Sequence, residues 1–190
     1  MLPSSSMTTR ISAVVLTGRA DKFSFGVDLK NPENARVAAA GLSERRARSR
    51  VGPRMCEAWE RLEPMTITAI EGFCVGGGAA LAVSLDLRVM AEDATLYVPE
   101  VERGMNMSWG SVPRFVNLCG PARTKRIVVL AEQLGAARCE QWGLADEVCP
   151  NGTAVRQATR ISGITDRVRE LPRYRVEASR RGRHGGGVER

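Results

Sequence analysis

The architecture of this chain turns on residues 69–100, A-I-E-G-F-C-V-G-G-G-A-A-L-A-V-S-L-D-L-R-V-M-A-E-D-A-T-L-Y-V-P-E. The run begins in a short apolar segment, residues 67–70, with Pro64 before it and Gly72 after it. Such a bounded apolar run reads as a buried strand. Gly76, Gly77 and Gly78 follow, and after them A-A-L-A-V at 79–83 holds good helix formers and no breaker. A helix is therefore predicted to start at the glycines. The first N–H groups of a helix lack internal partners, and the dipole is positive there, so a strand, a glycine turn and a helix start together favour negative charge. Glycine also lets another molecule's backbone or carbonyl come close. By itself, G-G-G makes an equally good tight turn with no ligand.

The 190 residues, 43% of them hydrophobic, are enough for one domain with a real core. No apolar run is long enough to span a membrane, and the opening M-L-P-S-S-S-M-T-T-R lacks the hydrophobic centre of a signal peptide. Cys56, Cys74, Cys119, Cys139 and Cys149 form no C-x-x-C pair and sit mostly among apolar residues. Buried free thiols in a reducing cytoplasm are the expectation. The single histidine, His184, lies in a Gly/Arg-rich segment, which argues against a zinc site and against histidine-based triads. The net charge of +7 is unevenly placed: residues 151–190 carry +6 and residues 1–150 only +1. The chain therefore divides into a nearly neutral body, 1–150, and a basic tail, 151–190.

Working outward from the glycines, residues 11–16 (I-S-A-V-V-L) read as a buried strand, followed by a loop over 19–25. In F-S-F-G-V-D-L at 23–29, Gly26 suits a bend, and Asp28 is placed to cap a helix beginning at Leu29. Residues 31–62 are polar, Arg-rich and helix-prone, with interruptions expected at Gly41 and at Gly52-Pro53. Met55, Trp59 and Leu62 share one helical face, expected to pack on the core. The run S-E-R-R-A-R-S-R at 43–50 reads as a solvated helix face. Residues 87–90 and 95–98 read as short strands, 99–104 as a loop, and 110–118, 122–131 and Ala136–Trp142 as helices, with Pro121 opening one and Gly143 ending another. Alternating strands and helices argue α/β.

The stretch A-I-E-G-F-C-V-G-G-G-A-A-L-A, the following S-L-D-L-R-V-M-A-E-D-A and the P-E at 99–100 resemble the crotonase superfamily, the enoyl-CoA hydratase/isomerase family. The likeness extends to F-S-F-G-V-D-L upstream and to P-A-R-T-K-R-I-V-V-L at 121–130 and W-G-L-A-D-E-V at 142–148, so it covers roughly residues 11–150 in the right order and spacing. It implies a spiral of repeated ββα turns and acyl-CoA substrates, with coenzyme A arriving as part of the substrate and no separate cofactor. It also implies a homotrimer or hexamer. By position, the backbone N–H groups of Val27 and Gly77 are the two oxyanion donors, and valine, bulkier than usual there, narrows the pocket. The resemblance places the acyl-CoA-binding surface at Phe25, Gly26, Asp28, Leu29, Gly76, Gly78 and Ala80. Glu71 precedes the glycines and is expected to be structural.

Both ends depart from the family pattern. The strands and the R-P-x-x-x-N-A segment that come before the first strand in complete members have no counterpart here. At the other end, 151–162 is helix-like, but the Arg/Gly-rich remainder reads as disordered. The expectation is a truncated or frameshifted gene, which resequencing the locus would test.

The shared step of the family is an enolate formed at a thioester. Enoyl-CoA hydratases use two glutamates, one three residues after the middle glycine and one in the later P-E. Here those positions are Ala80 and Glu100. Alanine moves no proton, so Glu100 is left as sole acid/base, and the simplest chemistry is a 1,3-proton shuttle like that of Δ3-Δ2-enoyl-CoA isomerases. The extra aspartate of dienoyl-CoA isomerases falls at Ser108. The alternatives are a hydratase using Glu100 and water, an inactive acyl-CoA-binding relative, and a nucleic-acid binder working through the tail. The last is disfavoured because no aromatic platform accompanies the charge.

Overall fold

The computed structural model describes residues 11–170. Strands are dealt alternately to two sheets. β1 (Ala13–Thr17), β3 (Met65–Ile70), β5 (Leu87–Ala91) and β8 (Glu147–Cys149) form one sheet in that order, all parallel. β2 (Lys22–Ser24), β4 (Phe73–Val75) and β6 (Thr95–Tyr97) form the second in parallel, with β7 (Leu134–Gly135) antiparallel at its edge. Each ββ corner is followed by helix: α1 (Glu33–Ala39), α2 (Leu42–Ser49) and α3 (Val51–Glu60) after the first, α4 (Gly77–Ala82) after the second and α5 (Ser111–Val128) after the third. Repetition of this unit makes the spiral. α6 (Ala136–Trp142) and α7 (Ala154–Glu170) complete the described chain.

Buried polar ties fix the corners. The Asp86 carboxylate accepts from both the Thr66 N–H and hydroxyl at 2.8 Å. Arg88, buried on β5, pairs with Asp146 at 2.8 Å and so joins β5 to the start of β8. Burial disfavours its charge and lowers its pKa, and Asp146 and Asp86 only partly offset that. Glu71, only 7% exposed, accepts the N–H groups of Gly152 and Ala154, both at 2.9 Å. A carboxylate at the start of α7 satisfies orphan donors and complements the dipole. It seats Ala154 and Ala158 against Ile67, Ala69 and Val89 of the first sheet. Glu71 is structural, as its position suggested. Glu71→Ala is expected to lower unfolding free energy by about 1–3 kcal/mol, read by chemical denaturation. An unchanged midpoint would show that the tie is unimportant.

Several elements differ from the sequence expectations. β2 and β4 fall in segments read as loop and turn, and β7 and β8 carried no separate expectation. All are three residues or fewer, too short for a periodic signal. Asp28 does not cap a helix at Leu29. Its carboxylate accepts the Lys30 N–H at 2.9 Å in a local turn, and α1 starts later, where Asn31 accepts the Glu33 N–H at 2.9 Å. Gly41 interrupts, and a second break falls at Arg50, just ahead of Gly52-Pro53, so that Pro53 sits in the first turn of α3, where its missing N–H costs nothing. The core-facing side of α3 is Gly52 and Cys56. Met55 and Leu62 are 36% and 43% exposed and Trp59 is half-buried, so the face expected to pack inward looks mostly outward. α2 buries nothing, which agrees with a solvated face for 43–50.

α5 is two helices meeting at Gly120 (φ 81°, ψ 165°), with Pro121 opening the second. Gly143 (φ 80°) ends α6 in the left-handed conformation. α7 runs to Glu170, beyond the helix-like stretch that ends at Ser162. The rest of the tail read as disordered, 171–190, lies outside the described residues. All five cysteines are free and buried. Burial pushes the Cys74 thiol up, and the Cys139 thiol up to about 12, so both stay neutral and unreactive. Among the described residues no helix is long and apolar enough to cross a membrane.

Candidate active site

The second ββα turn carries the site. β4 ends at Val75, and Gly76 turns the chain with φ 53° and ψ −114°, a conformation suited to glycine. Its N–H donates to the Tyr97 carbonyl at 2.8 Å, tying the turn to the end of β6, and its carbonyl accepts the Ala80 N–H at 3.0 Å to open α4. The segment after β6 reaches Pro99 and Glu100 and then one turn of 3-10 helix, Val101–Arg103. The Glu100 carbonyl accepts the N–H groups of Arg103 (3.1 Å) and Met105 (2.9 Å), so the backbone that follows the carboxylate is fixed.

The Glu100 carboxylate lies directly against Gly76. A β-carbon built on Gly76 would stand 2.9 Å from Glu100 Oε1. The other oxygen, Oε2, is buried with no hydrogen-bond partner among the described residues. Burial raises the acid's pKa above its ordinary value, and the local backbone hydrogen bond and Arg103 only partly oppose this. A partly buried carboxyl with one unpaired oxygen and a raised pKa is a common condition of an acid/base group.

From the first turn, Gly26 (φ 84°) approaches the same place. A β-carbon on it would meet Gly77 N and the Val75 carbonyl at 3.0 Å. Gly26 therefore packs against the start of α4, and Val27 and Gly77 line one cavity. Neither of their backbone N–H groups has an acceptor among the described residues. Two such N–H groups can stabilise a developing oxyanion by a few kcal/mol.

A cavity of about 230 Å³ opens over this junction. Phe25, Val27, Leu29, Gly76, Gly77, Ala80 and Glu100 line it, so most of the residues singled out from the sequence come together. Gly26 shapes it from behind. Gly78 is buried instead against Ser24, where a β-carbon would stand 2.7 Å from Ser24 Cβ, and Asp28 is exposed and held by the local turn with Lys30. Those two do not line the cavity. The rest of the lining is Met105, Asn106, Met107, Ser108 and Trp109, of which the sequence reading singled out only Ser108, as the place of a missing aspartate. Their position five to nine residues after Glu100, past the Gly104 turn, is the signal that would have found them. At the mouth, Phe25 stacks on Phe73 with centroids 5.4 Å apart. Glu100 is the sole carboxylate on the wall. Glu102 accepts from the Tyr97 hydroxyl outside the cavity.

A spiral of ββα turns with this junction at its second corner is the architecture of the crotonase superfamily. The chain belongs to the enoyl-CoA hydratase/isomerase family, whose pattern matches residues 5–170. It is 33% identical to the mevalonyl-coenzyme A hydratase sidH of Aspergillus fumigatus over 162 residues, 78% of this chain and 54% of that protein. It is 28% identical to the crotonyl-CoA hydratase of Syntrophomonas wolfei over 80% of this chain and 57% of that one. Among solved structures it resembles Pseudomonas aeruginosa DspI (TM-score 0.74, 28% identity, 83% of this chain and 63% of that chain). It also resembles an enoyl-CoA hydratase from Bacillus anthracis (TM-score 0.73, 26% identity, 81% and 58%). The chain spans about half the length of the curated relatives it matches.

Proposed function

We propose that this chain acts on acyl-CoA thioesters through an enolate, with Glu100 as sole acid/base, and that its simplest reaction moves a double bond. In a 3-enoyl-CoA, Glu100 takes a proton from C2. The electron pair passes into the thioester, and the charge on its oxygen faces the N–H groups of Val27 and Gly77. The same carboxyl returns the proton at C4, leaving the double bond between C2 and C3. No atom is gained or lost, and no dissociable cofactor is needed. The observation that supports this reading is the pairing of a carboxylate that has one buried, unpartnered oxygen with Ala80 at the place where a second carboxylate would stand. Met105 and Met107 give the wall an adaptable apolar surface for an acyl group.

Hydration is the second reading, because the relatives compared are named as hydratases of mevalonyl-CoA and crotonyl-CoA. It would require Glu100 alone to activate water and deliver the proton, a task two carboxylates perform better. An inactive acyl-CoA-binding relative is the third. A homotrimer or hexamer and a cytoplasmic location belong to the same proposal; five free, buried cysteines suit a reducing compartment.

Purified protein incubated with a 3-enoyl-CoA and followed by absorbance and mass separates these readings. The expected product is conjugated and of unchanged mass. A product heavier by one water would transfer the reading to hydratase. No turnover in a folded protein that still binds acyl-CoA would identify the inactive relative.

A further inference from the structure

Trp109 is one of two non-glycine residues of the described chain with positive φ, at 60°. A bulky side chain rarely adopts that conformation unless its surroundings impose it. Arg114 donates from Nη1 to the Trp109 carbonyl at 3.0 Å and from Nη2 to Glu60 Oε2 at 2.6 Å, which clamps the loop to α3. The indole is pressed between two glycines from different elements. A β-carbon on Gly52 of α3 would stand 2.0 Å from its Cε2, and one on Gly77 would stand 2.6 Å from its Cη2. The ring thus lies on the residue that begins α4, and it lines the same cavity as Ala80. Ala80 follows Gly77 by three positions and shares its helical face. The small residue at 80 and the large one at 109 thus face the same cavity.

We propose that Trp109 is the specificity-determining residue of the site: its indole closes the acyl end of the cavity and restricts the substrate to short acyl groups. The inference rests on the acyl-CoA reading above. A thioester oxygen held by the Gly77 N–H points its acyl chain along the face that the indole covers. The cavity, about 230 Å³, is smaller than the roughly 300–1,000 Å³ of ordinary small-molecule sites. A long chain has no room unless the indole is removed.

The test compares binding of butyryl-CoA and decanoyl-CoA to the full chain and to Trp109→Gly by calorimetry. Glycine suits the backbone at 109, so the variant relieves strain there. Trp109→Leu, which keeps an apolar filler, carries the same comparison if glycine costs the fold. The wild type is expected to bind butyryl-CoA about tenfold or more tighter than decanoyl-CoA, and the variant to shrink or reverse that ratio by a similar factor. Saturated thioesters are used so that the result does not depend on turnover. If both thioesters bind and the ratio is near one, or does not move in a variant with intact melting, Trp109 is a packing residue and the inference fails. If the folded wild type binds neither, the acyl-CoA reading itself fails and takes the inference with it.

Discussion

Glu100→Gln is expected to lower turnover of an enoyl-CoA by about 10²–10⁴-fold while leaving acyl-CoA binding nearly intact. Glutamine keeps the shape of a side chain that already touches Gly76, so the cavity should survive. It cannot take a proton, and no second carboxylate lines the wall to replace it. Loss confined to kcat would mark the residue as the acid/base; loss confined to KM would mark it as a binding group. The raised pKa of Glu100 adds two signs. First, the base must be ionised, so kcat/KM should fall on acidification through a pKa above the ordinary value of 4.5. Second, a carboxyl whose folded-state pKa is raised holds its proton more tightly when folded. Its favourable contribution is complete below the unfolded pKa and is lost as pH rises through the folded one. At neutral pH the charge therefore costs stability, and Glu100→Gln should raise the melting temperature there. The gain should vanish below the ordinary carboxylate range. A variant that is both dead and more stable is the signature of a site held in an unfavourable state for function.

Gly76→Ala is the second large effect. The residue has φ 53° and ψ −114°, which an L side chain tolerates poorly, at about 1–3 kcal/mol. Its new methyl would also meet the Glu100 carboxylate at 2.9 Å. The carboxylate is the flexible partner, so it moves, and a misplaced base loses catalysis steeply: about 10²-fold for an ångström-scale shift. The expectation is a folded but less stable protein with activity reduced about as far as in Glu100→Gln. Near-normal kcat in Gly76→Ala would show that Glu100 need not sit against the turn. The two variants together separate loss of the proton carrier from loss of its position.

The central corner was readable because each of its signals is strong locally. β3 is a β-branched run with breakers on both sides, and the glycines sit where a strand must become a helix. Ala80 and Glu100 could be placed only by matching their spacing from Gly77 to the pattern of the family the stretch resembles. The short strands were not readable, since three residues carry no period. The break expected at Gly52-Pro53 falls at Arg50, because proline ends one helix and is tolerated in the first turn of the next. The same Gly52 also explains the error about α3. Its missing side chain makes room for Trp109, so the helix approaches the core through Gly52 and Cys56 rather than through its large residues. Trp109 itself was invisible as a site residue. Its role depends on two glycines remote in sequence and on a left-handed backbone held by Arg114, none of which leaves a local pattern.

The central claim is that Glu100 moves a proton at the carbon beside a thioester. It is tested most directly by incubating wild type and Glu100→Gln with a 3-enoyl-CoA carrying deuterium at C2 and following that label by NMR. The expected result is loss of one C2 deuterium, to C4 or to solvent, with the wild type and none above background with the variant, although both bind the thioester. Equal loss with the two proteins would contradict the claim, because the proton would then be moving without Glu100.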